Sequence, residues 1–168
     1  KGTLPPSFDI RIELVASIAR AERASVGSKL PSEEQAALHQ LFGRVEEIKC
    51  ISDEETWKTD KGGNGIYCEG NPSHVKKVKF VRGRSKWTGN IDGLGALKHM
   101  KSLDVSMSGV SGKLSSLKDL HLELLRVWGT KVGGDLKDLE SMKGTLKSVS
   151  VDDSSVTGDL SFFAGMTQ

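Results

Sequence analysis

The chain has 168 residues, of which 27% are charged and 36% are hydrophobic, a composition typical of one domain or of a repeat array with a cap. It contains no run of about 18 apolar residues, which argues against a membrane-spanning helix. The chain starts at Lys1 without an apolar leader. We therefore expect either that a targeting segment has been removed or that the sequence is internal to a longer chain.

Charge is distributed unevenly along the chain. Residues 75–147 carry 15 basic and 7 acidic side chains, whereas the segments before and after them are net acidic. The basic middle fits an acidic partner, and it equally fits a lysine-rich outer surface that is only solvated. Nucleic acid is not expected as a partner, because aromatic residues do not alternate with the basic ones and no motif for reading DNA or RNA occurs.

The first part of the chain predicts an arm, two helices and a loop. Residues 1–8 contain two prolines and predict an extended arm, and apolar residues at helical spacing predict an amphipathic helix over 9–24. This helix could lie on a membrane surface, although its charges are mixed in sign. A second helix is predicted from Ser32, which has the spacing of a capping box with Gln35. Residues 51–65 are polar and glycine-rich and predict a loop.

The stretch from Phe80 to Leu160 repeats one pattern four times, after two short strands predicted near residues 66–68 and 75–80. Each copy has an apolar-x-apolar pair, a Ser or Thr three residues later, an apolar residue and a glycine. These glycines are Gly89, Gly112, Gly134 and Gly158. A period of 22 to 24 residues indicates a solenoid of strand-plus-connector units. Because no unit can bury its own apolar face, stacking of the units must create the core.

The pattern resembles the leucine-rich repeat family, specifically its plant-type subclass with the unit L-x-L-x-x-N-x-L-x-G-x-I-P. Its usual asparagine is replaced by the hydroxyl residues Ser85, Ser108, Thr130 and Ser154, which can satisfy backbone groups where the chain turns. The usual proline after the Ile/Leu is absent, and Arg82 takes a normally buried leucine position in the first copy. The resemblance implies an α/β-type solenoid with parallel strands on its concave face, preceded by a helical N-terminal cap.

The region before the repeats resembles the N-terminal cap of the same subclass. Three cap motifs occur in the expected order, namely Glu34-x-x-Ala37-Leu38, Trp57 and Gly65-Ile66-Tyr67-Cys68. Such caps are often disulfide-bonded, so the resemblance implies a Cys50–Cys68 bridge, whereas the residues alone leave two reduced thiols open. The implied organisation is an N-terminal arm and helix (1–31), a helical cap (32–74) and about four repeats that are incomplete at the C-terminus (75–168).

Partner binding is expected on the exposed strand positions of the concave face. The predicted positions are Lys79, Arg84, Asp104, Met107, Arg126, Trp128, Asp152 and Asp153. Trp128 is central to this set, because an exposed aromatic residue flanked by Arg126 has the composition of an interface hot spot. The alternative is that Trp128 folds over and packs on its neighbours.

No catalytic, metal-binding or cofactor-binding residues are predicted, since the four histidines are scattered and no phosphate loop occurs. We therefore expect a non-catalytic module that binds another protein, either an acidic one or a large assembly, through its concave surface. The alternative is a structural or accessory subunit of an organellar or membrane-associated complex, for example a photosynthetic assembly, held by residues 1–31 and its open C-terminal end. A disulfide and the missing initiator Met favour secretion or an organellar lumen, such as the plastid, over the cytoplasm.

Overall fold

A computed structural model describes residues 30–42, 50–51, 65–70, 72–80 and 88–164. The predicted arm and first helix, most of the predicted loop, and Arg84 lie outside these residues. The described elements are helix α1 (Ser32–Phe42) and the strands β1 (Gly65–Glu69), β2 (His74–Lys79), β3 (Ser102–Asp104), β4 (Ser111–Lys113), β5 (Leu124–Arg126), β6 (Lys131–Asp135), β7 (Ser148–Ser150) and β8 (Ser155–Thr157). Short 3-10 helices occupy Leu94–Ala96, Leu114–Leu117, Leu136–Met142 and Leu160–Phe163.

The described strands form two sheets. The larger has the order β1-β2-β3-β5-β7, and the smaller has the order β4-β6-β8. Only the β1–β2 pair is antiparallel; all other pairs are parallel and in constant register from one repeat to the next. The second, third and fourth repeats therefore each contribute one strand to the larger sheet and one to the smaller, whereas the period predicted one strand and a connector per unit. The leucines, valines and methionines between the sheets form one continuous buried cluster.

Helix α1 begins at Ser32, as predicted, but without the predicted capping box. Its first hydrogen bond runs from the Gln35 amide to the Pro31 carbonyl (3.0 Å), so Pro31 is the N-cap residue. The Gln35 side chain instead donates from Nε2 to the Leu30 carbonyl (2.7 Å). The Gln35 side chain thus binds the backbone before the helix, and not Ser32 as predicted.

A buried carboxylate ties α1 to the sheet. Glu34 is only 2% exposed, because the apolar residues of the same helix face pack into the core. Its Oε2 accepts a hydrogen bond from the Val75 amide (2.8 Å), and its Oε1 lies 2.6 Å from His74 Nδ1. Both contacts are to β2, so Glu34 fixes the position of the helix against the start of the sheet.

The first repeat has a different register from the predicted one. β2 pairs with β3 so that Val78, and not Phe80 as predicted, lies opposite Leu103. Val78 and Phe80 pack on the core, and Arg82 lies outside the described residues. A shift of two residues leaves every side chain on the same face of a strand, so apolar alternation alone cannot exclude it. Compared with the second copy, the first has two additional residues between the strand and Gly89.

Three of the four hydroxyl residues satisfy backbone groups, as predicted, and the fourth, Ser85, lies outside the described residues. Thr130 Oγ1 donates to the Val127 carbonyl (2.5 Å) and accepts from the Val132 amide (3.2 Å). Ser108 and Ser154 make the same two bonds within their own units. One short side chain thus bridges the turn between the larger and the smaller sheet in each of these repeats.

The residues that stand in place of the usual proline use their backbone amides in hydrogen bonds. In three units the residue at this position donates its amide hydrogen to the side chain two residues earlier: Asp92 to Asn90 (2.6 Å), Lys137 to Asp135 (2.9 Å) and Ser161 to Asp159 (2.7 Å). Proline has no such hydrogen. The second unit differs, because its bond is made by Lys113, two residues before Ser115. The Lys113 amide donates to Oδ1 of Asp92 in the preceding unit (2.8 Å), and this bond lowers the pKa of Asp92.

Two repeat glycines are required by close packing. A Cβ on Gly89 would lie 1.7 Å from the Leu41 carbonyl oxygen, so the first repeat meets the backbone of α1 directly at this point. Gly134 has φ +122°, and its Cβ would lie 3.1 Å from the Leu114 amide nitrogen of the preceding unit. Glycine therefore sets how closely the units approach one another.

The predicted disulfide is confirmed. Cys50 and Cys68 are bonded, with their Cα atoms 5.4 Å apart. Ile51, the next residue, donates its amide hydrogen to the Ile66 carbonyl (2.8 Å) and accepts from the Cys68 amide (3.0 Å). The bridge and these bonds join the segment before the sheet to β1.

Candidate interaction surface

The strands β2, β3, β5 and β7 present one surface on the side opposite the core, which we call the sheet face. Its residues are Lys77, Lys79, Ser102, Asp104, Ser106, Leu124, Arg126, Trp128, Ser148, Ser150 and Asp152. Constant register aligns these side chains in rows across the strands, about 4.8 Å from one strand to the next. The rows, rather than the linear sequence, define which side chains are neighbours.

The central row contains three of the predicted site residues. Lys79, Asp104 and Arg126 lie opposite one another on β2, β3 and β5, and Ser150 ends the row on β7. Arg126 is 45% exposed, and its Nη1 lies 3.7 Å from Asp104 Oδ2. A basic residue thus flanks the aspartate on each neighbouring strand.

Asp104 was expected to be exposed, and that expectation is wrong. Asp104 is 5% exposed and Ser106 is fully buried. Asp104 Oδ1 accepts hydrogen bonds from Ser106 Oγ (2.7 Å) and from the Ser106 amide (3.3 Å), which draws both side chains against the backbone. The participation of Asp104 in binding stays a prediction.

Trp128 occupies the next row, between Ser106 and Asp152. The Met107 amide donates to the Trp128 carbonyl (2.9 Å), and the Gly129 amide donates to the Asp152 carbonyl (2.9 Å), which continues the parallel pairing beyond the strands. Trp128 is half-buried, so part of its surface is covered by neighbouring residues and part is exposed to solvent. The indole therefore retains surface that a partner can cover.

The residue after each of these positions has a positive φ, namely Met107 (57°), Gly129 (64°) and Asp153 (48°). Met107 Sδ lies 3.1 Å from where a Cβ on Gly129 would be, so the thioether of Met107 packs over that glycine. Beside them is a groove of about 420 Å³, lined by Thr88, Met107, Ser108, Gly109, Gly129, Thr130, Lys131 and Asp153. Met107 and Asp153, two predicted site residues, therefore meet at this groove rather than on the flat of the sheet.

Sequence reasoning missed Leu124, a half-buried leucine on the sheet face two residues before Arg126. It immediately precedes the buried Leu125, and its only sequence signal is that an apolar residue stands at an outward position of the strand. Leu124 adds apolar surface to the strand that carries Trp128.

A row of charged residues lies immediately before the strands. Lys101, Glu123 and Lys147 follow one another through backbone hydrogen bonds, and Lys147 Nζ binds Glu123 Oε2 (2.7 Å). This hydrogen bond and the charge of Lys147 lower the pKa of Glu123, with smaller contributions from Lys101 and Lys77. Several lysines thus surround one carboxylate at this edge of the sheet.

Among the described residues no group of three His, Cys, Asp or Glu side chains could hold a metal ion. In the same part of the chain, no helix has the length and apolar character needed to cross a membrane. The Glu34–His74 pair bonds helix to sheet, as described above.

No protein-family model matches the sequence, and no curated protein matches it. Solved structures are similar, among them the following three. The leucine-rich-repeat (LRR) ectodomain of the plant membrane receptor kinase GASSHO1/SCHENGEN3 from Arabidopsis thaliana, in complex with CASPARIAN STRIP INTEGRITY FACTOR 2, has 18% identity and a TM-score of 0.55. A PEPR1–AtPEP1 structure has 21% identity and a TM-score of 0.44. The LRR ectodomain of the receptor kinase SOBIR1 from Arabidopsis thaliana has 15% identity and a TM-score of 0.37.

The first of these similarities defines the fold. It covers 80% of this chain but only 16% of the GASSHO1/SCHENGEN3 ectodomain, and the other two cover 76% and 79% of this chain and 22% and 99% of those chains. The chain therefore has a leucine-rich-repeat fold similar to that of the GASSHO1/SCHENGEN3 ectodomain. It spans about a sixth of the length of that ectodomain.

Proposed function

We propose that this chain is a non-catalytic module that binds a protein or peptide through the sheet face, with Trp128 at its centre. The observation that carries the proposal is the half-buried Trp128, two residues after the exposed Arg126, which ends a strand that is paired on both sides. Aromatic residues and arginine in such positions dominate the binding energy of many interfaces. Lys79 and Asp152 would form the polar rim, with Met107, Asp153 and the groove at the adjoining edge.

The fold supports the proposal without defining the partner. The GASSHO1/SCHENGEN3 ectodomain was solved in complex with CASPARIAN STRIP INTEGRITY FACTOR 2. That complex belongs to a chain of which this one spans 16%, so the fold alone does not transfer its ligand. What transfers is an architecture whose parallel strands present rows of outward side chains.

The disulfide supports a location outside the cytoplasm. Disulfides such as Cys50–Cys68 persist in oxidising compartments and are rare where thiols are kept reduced. We place the protein in a secreted or extracellular setting on this basis. We also assign α1, the bridge and β1 to a cap that covers the first repeat, since Glu34 and Gly89 hold the helix against it.

A photo-crosslinking amino acid at Ser150, which lies opposite Arg126 on β7 and leaves Trp128 in place, tests the proposal. In native extracts it should capture a partner that the same amino acid at Lys113, an exposed residue on β4 in the other sheet, does not capture. Trp128→Ala should weaken binding of that partner at least tenfold, the loss typical of a hot-spot residue. The fold should survive, which circular dichroism would show. Equal capture at both positions, or unchanged affinity of the folded Trp128→Ala variant, would contradict the proposal.

A further inference from the structure

The sheet face carries opposite charge at its two sides. On the side of β2 and β3 lie the basic residues Lys77, Lys79 and Lys101. On the side of β7 lie Asp152 and Asp153, both exposed. Trp128, two residues after the end of β5, stands between the two groups.

The remaining charges of this surface neutralise one another within the molecule. Asp104 is held by Ser106 and by Arg126, and Glu123 is bonded to Lys147. None of the ion pairs among the described residues involves Lys79, Asp152 or Asp153. At Lys79, Asp152 and Asp153 the polarity from β2 to β7 is therefore carried by side chains that form no ion pair within the described part of the chain.

We infer that the partner binds through an extended peptide that has acidic residues at one end and basic residues at the other. This inference rests on the proposed function. The acidic end of the peptide lies over β2 and β3, an apolar side chain packs on Trp128, and the basic end lies over Asp152. A uniformly acidic ligand fits less well, because it would bring negative charge onto Asp152 and Asp153. Like charges placed together across an interface cost affinity.

The strand spacing sets the spacing within that peptide. At roughly 4.8 Å per strand, the distance across the sheet is about 10 Å from β2 to β5 and about 14 Å from β2 to β7. An extended chain advances about 3.3 Å per residue, so the apolar residue falls about three positions from the acidic one, and the basic residue about one or two further. The predicted motif is thus acidic-x-x-apolar followed closely by a basic residue, read in either chain direction.

Two synthetic peptides of identical composition test the inference on the whole chain. The segregated peptide is Glu-Glu-Ala-Phe-Ala-Lys-Lys, and the mixed peptide is Glu-Lys-Ala-Phe-Ala-Glu-Lys. By fluorescence anisotropy at low salt, the segregated peptide should bind about tenfold more tightly, the sum expected of several exposed ion pairs. The double variant Lys79→Glu, Lys101→Glu should abolish this preference, and so should Asp152→Lys, Asp153→Lys.

The outcomes separate this inference from the proposed function. If Trp128→Ala weakens both peptides but the wild-type protein binds them equally, the charge inference fails and the binding surface stands. If Trp128→Ala weakens neither, the proposed function fails as well. An all-acidic peptide, Glu-Glu-Ala-Phe-Ala-Glu-Glu, or a polyanion such as heparin that binds as tightly as the segregated peptide would overturn the inference. So would a failure of the wild-type protein to bind the segregated peptide.

Discussion

Replacing Thr130 by valine tests whether the hydroxyl row stabilises the repeats. Valine has nearly the shape of threonine but lacks the hydroxyl, and Thr130 is only 8% exposed. The change removes the bond to the Val127 carbonyl and the bond from the Val132 amide. The perturbation is therefore polar rather than steric.

The two lost hydrogen bonds set the expected magnitude. An intramolecular hydrogen bond contributes about 1 kcal/mol net, and a buried group left without a partner costs about 1 to 3 kcal/mol. We expect the free energy of unfolding to fall by about 2 kcal/mol. For a chain of this length, that lowers Tm by about 4 to 8 °C, at roughly 2 to 4 °C per kcal/mol.

Urea unfolding followed by circular dichroism would measure the effect against two controls. Thr130→Ser keeps the hydroxyl and loses only a methyl group, so it should cost less than Thr130→Val, about 1 kcal/mol. Thr157→Val makes the same chemical change at an exposed site, where Oγ1 lies 3.3 Å from the Gly134 carbonyl oxygen. It should alter stability by no more than about 0.5 kcal/mol.

The comparison can refute the reasoning in two ways. If Thr130→Val is as harmless as Thr157→Val, the hydroxyl row does not contribute to stability. If Thr130→Ser costs as much as Thr130→Val, the methyl group rather than the hydrogen bonds accounts for the loss.

Three further changes should destabilise the protein, each measured by urea unfolding. Glu34→Ala leaves the Val75 amide without its acceptor and should cost about 1 to 3 kcal/mol; wild-type stability would contradict the helix-anchoring role. Gly134→Ala should cost about 1 to 3 kcal/mol because of its φ of +122°, whereas Gly144→Ala, with open space around it, should be nearly neutral. Reducing the disulfide should cost about 3 kcal/mol, and no change on reduction would show that the bridge adds nothing to stability.

The parts of the fold that depend on spacing within one unit could be predicted from the sequence. The period of 22 to 24 residues predicted stacked strand-plus-connector repeats, and the family resemblance implied that their strands are parallel. The hydroxyls at Ser108, Thr130 and Ser154 bond backbone groups as expected. The disulfide was implied by family resemblance rather than by spacing, and the structure confirms it. The outward positions of Arg126 and Trp128 followed from strand alternation.

What the tertiary structure alone decided is the relation between strands. Whether Val78 or Phe80 pairs with Leu103 depends on cross-strand hydrogen bonds, since a two-residue shift preserves the faces of the strand. The burial of Asp104 depends on contacts with Ser106, two residues later in the chain, and with Arg126 in the next repeat. Sequence spacing thus determined the repeating unit, but the charge pattern of the sheet face arises only when register aligns side chains that lie 20 or more residues apart.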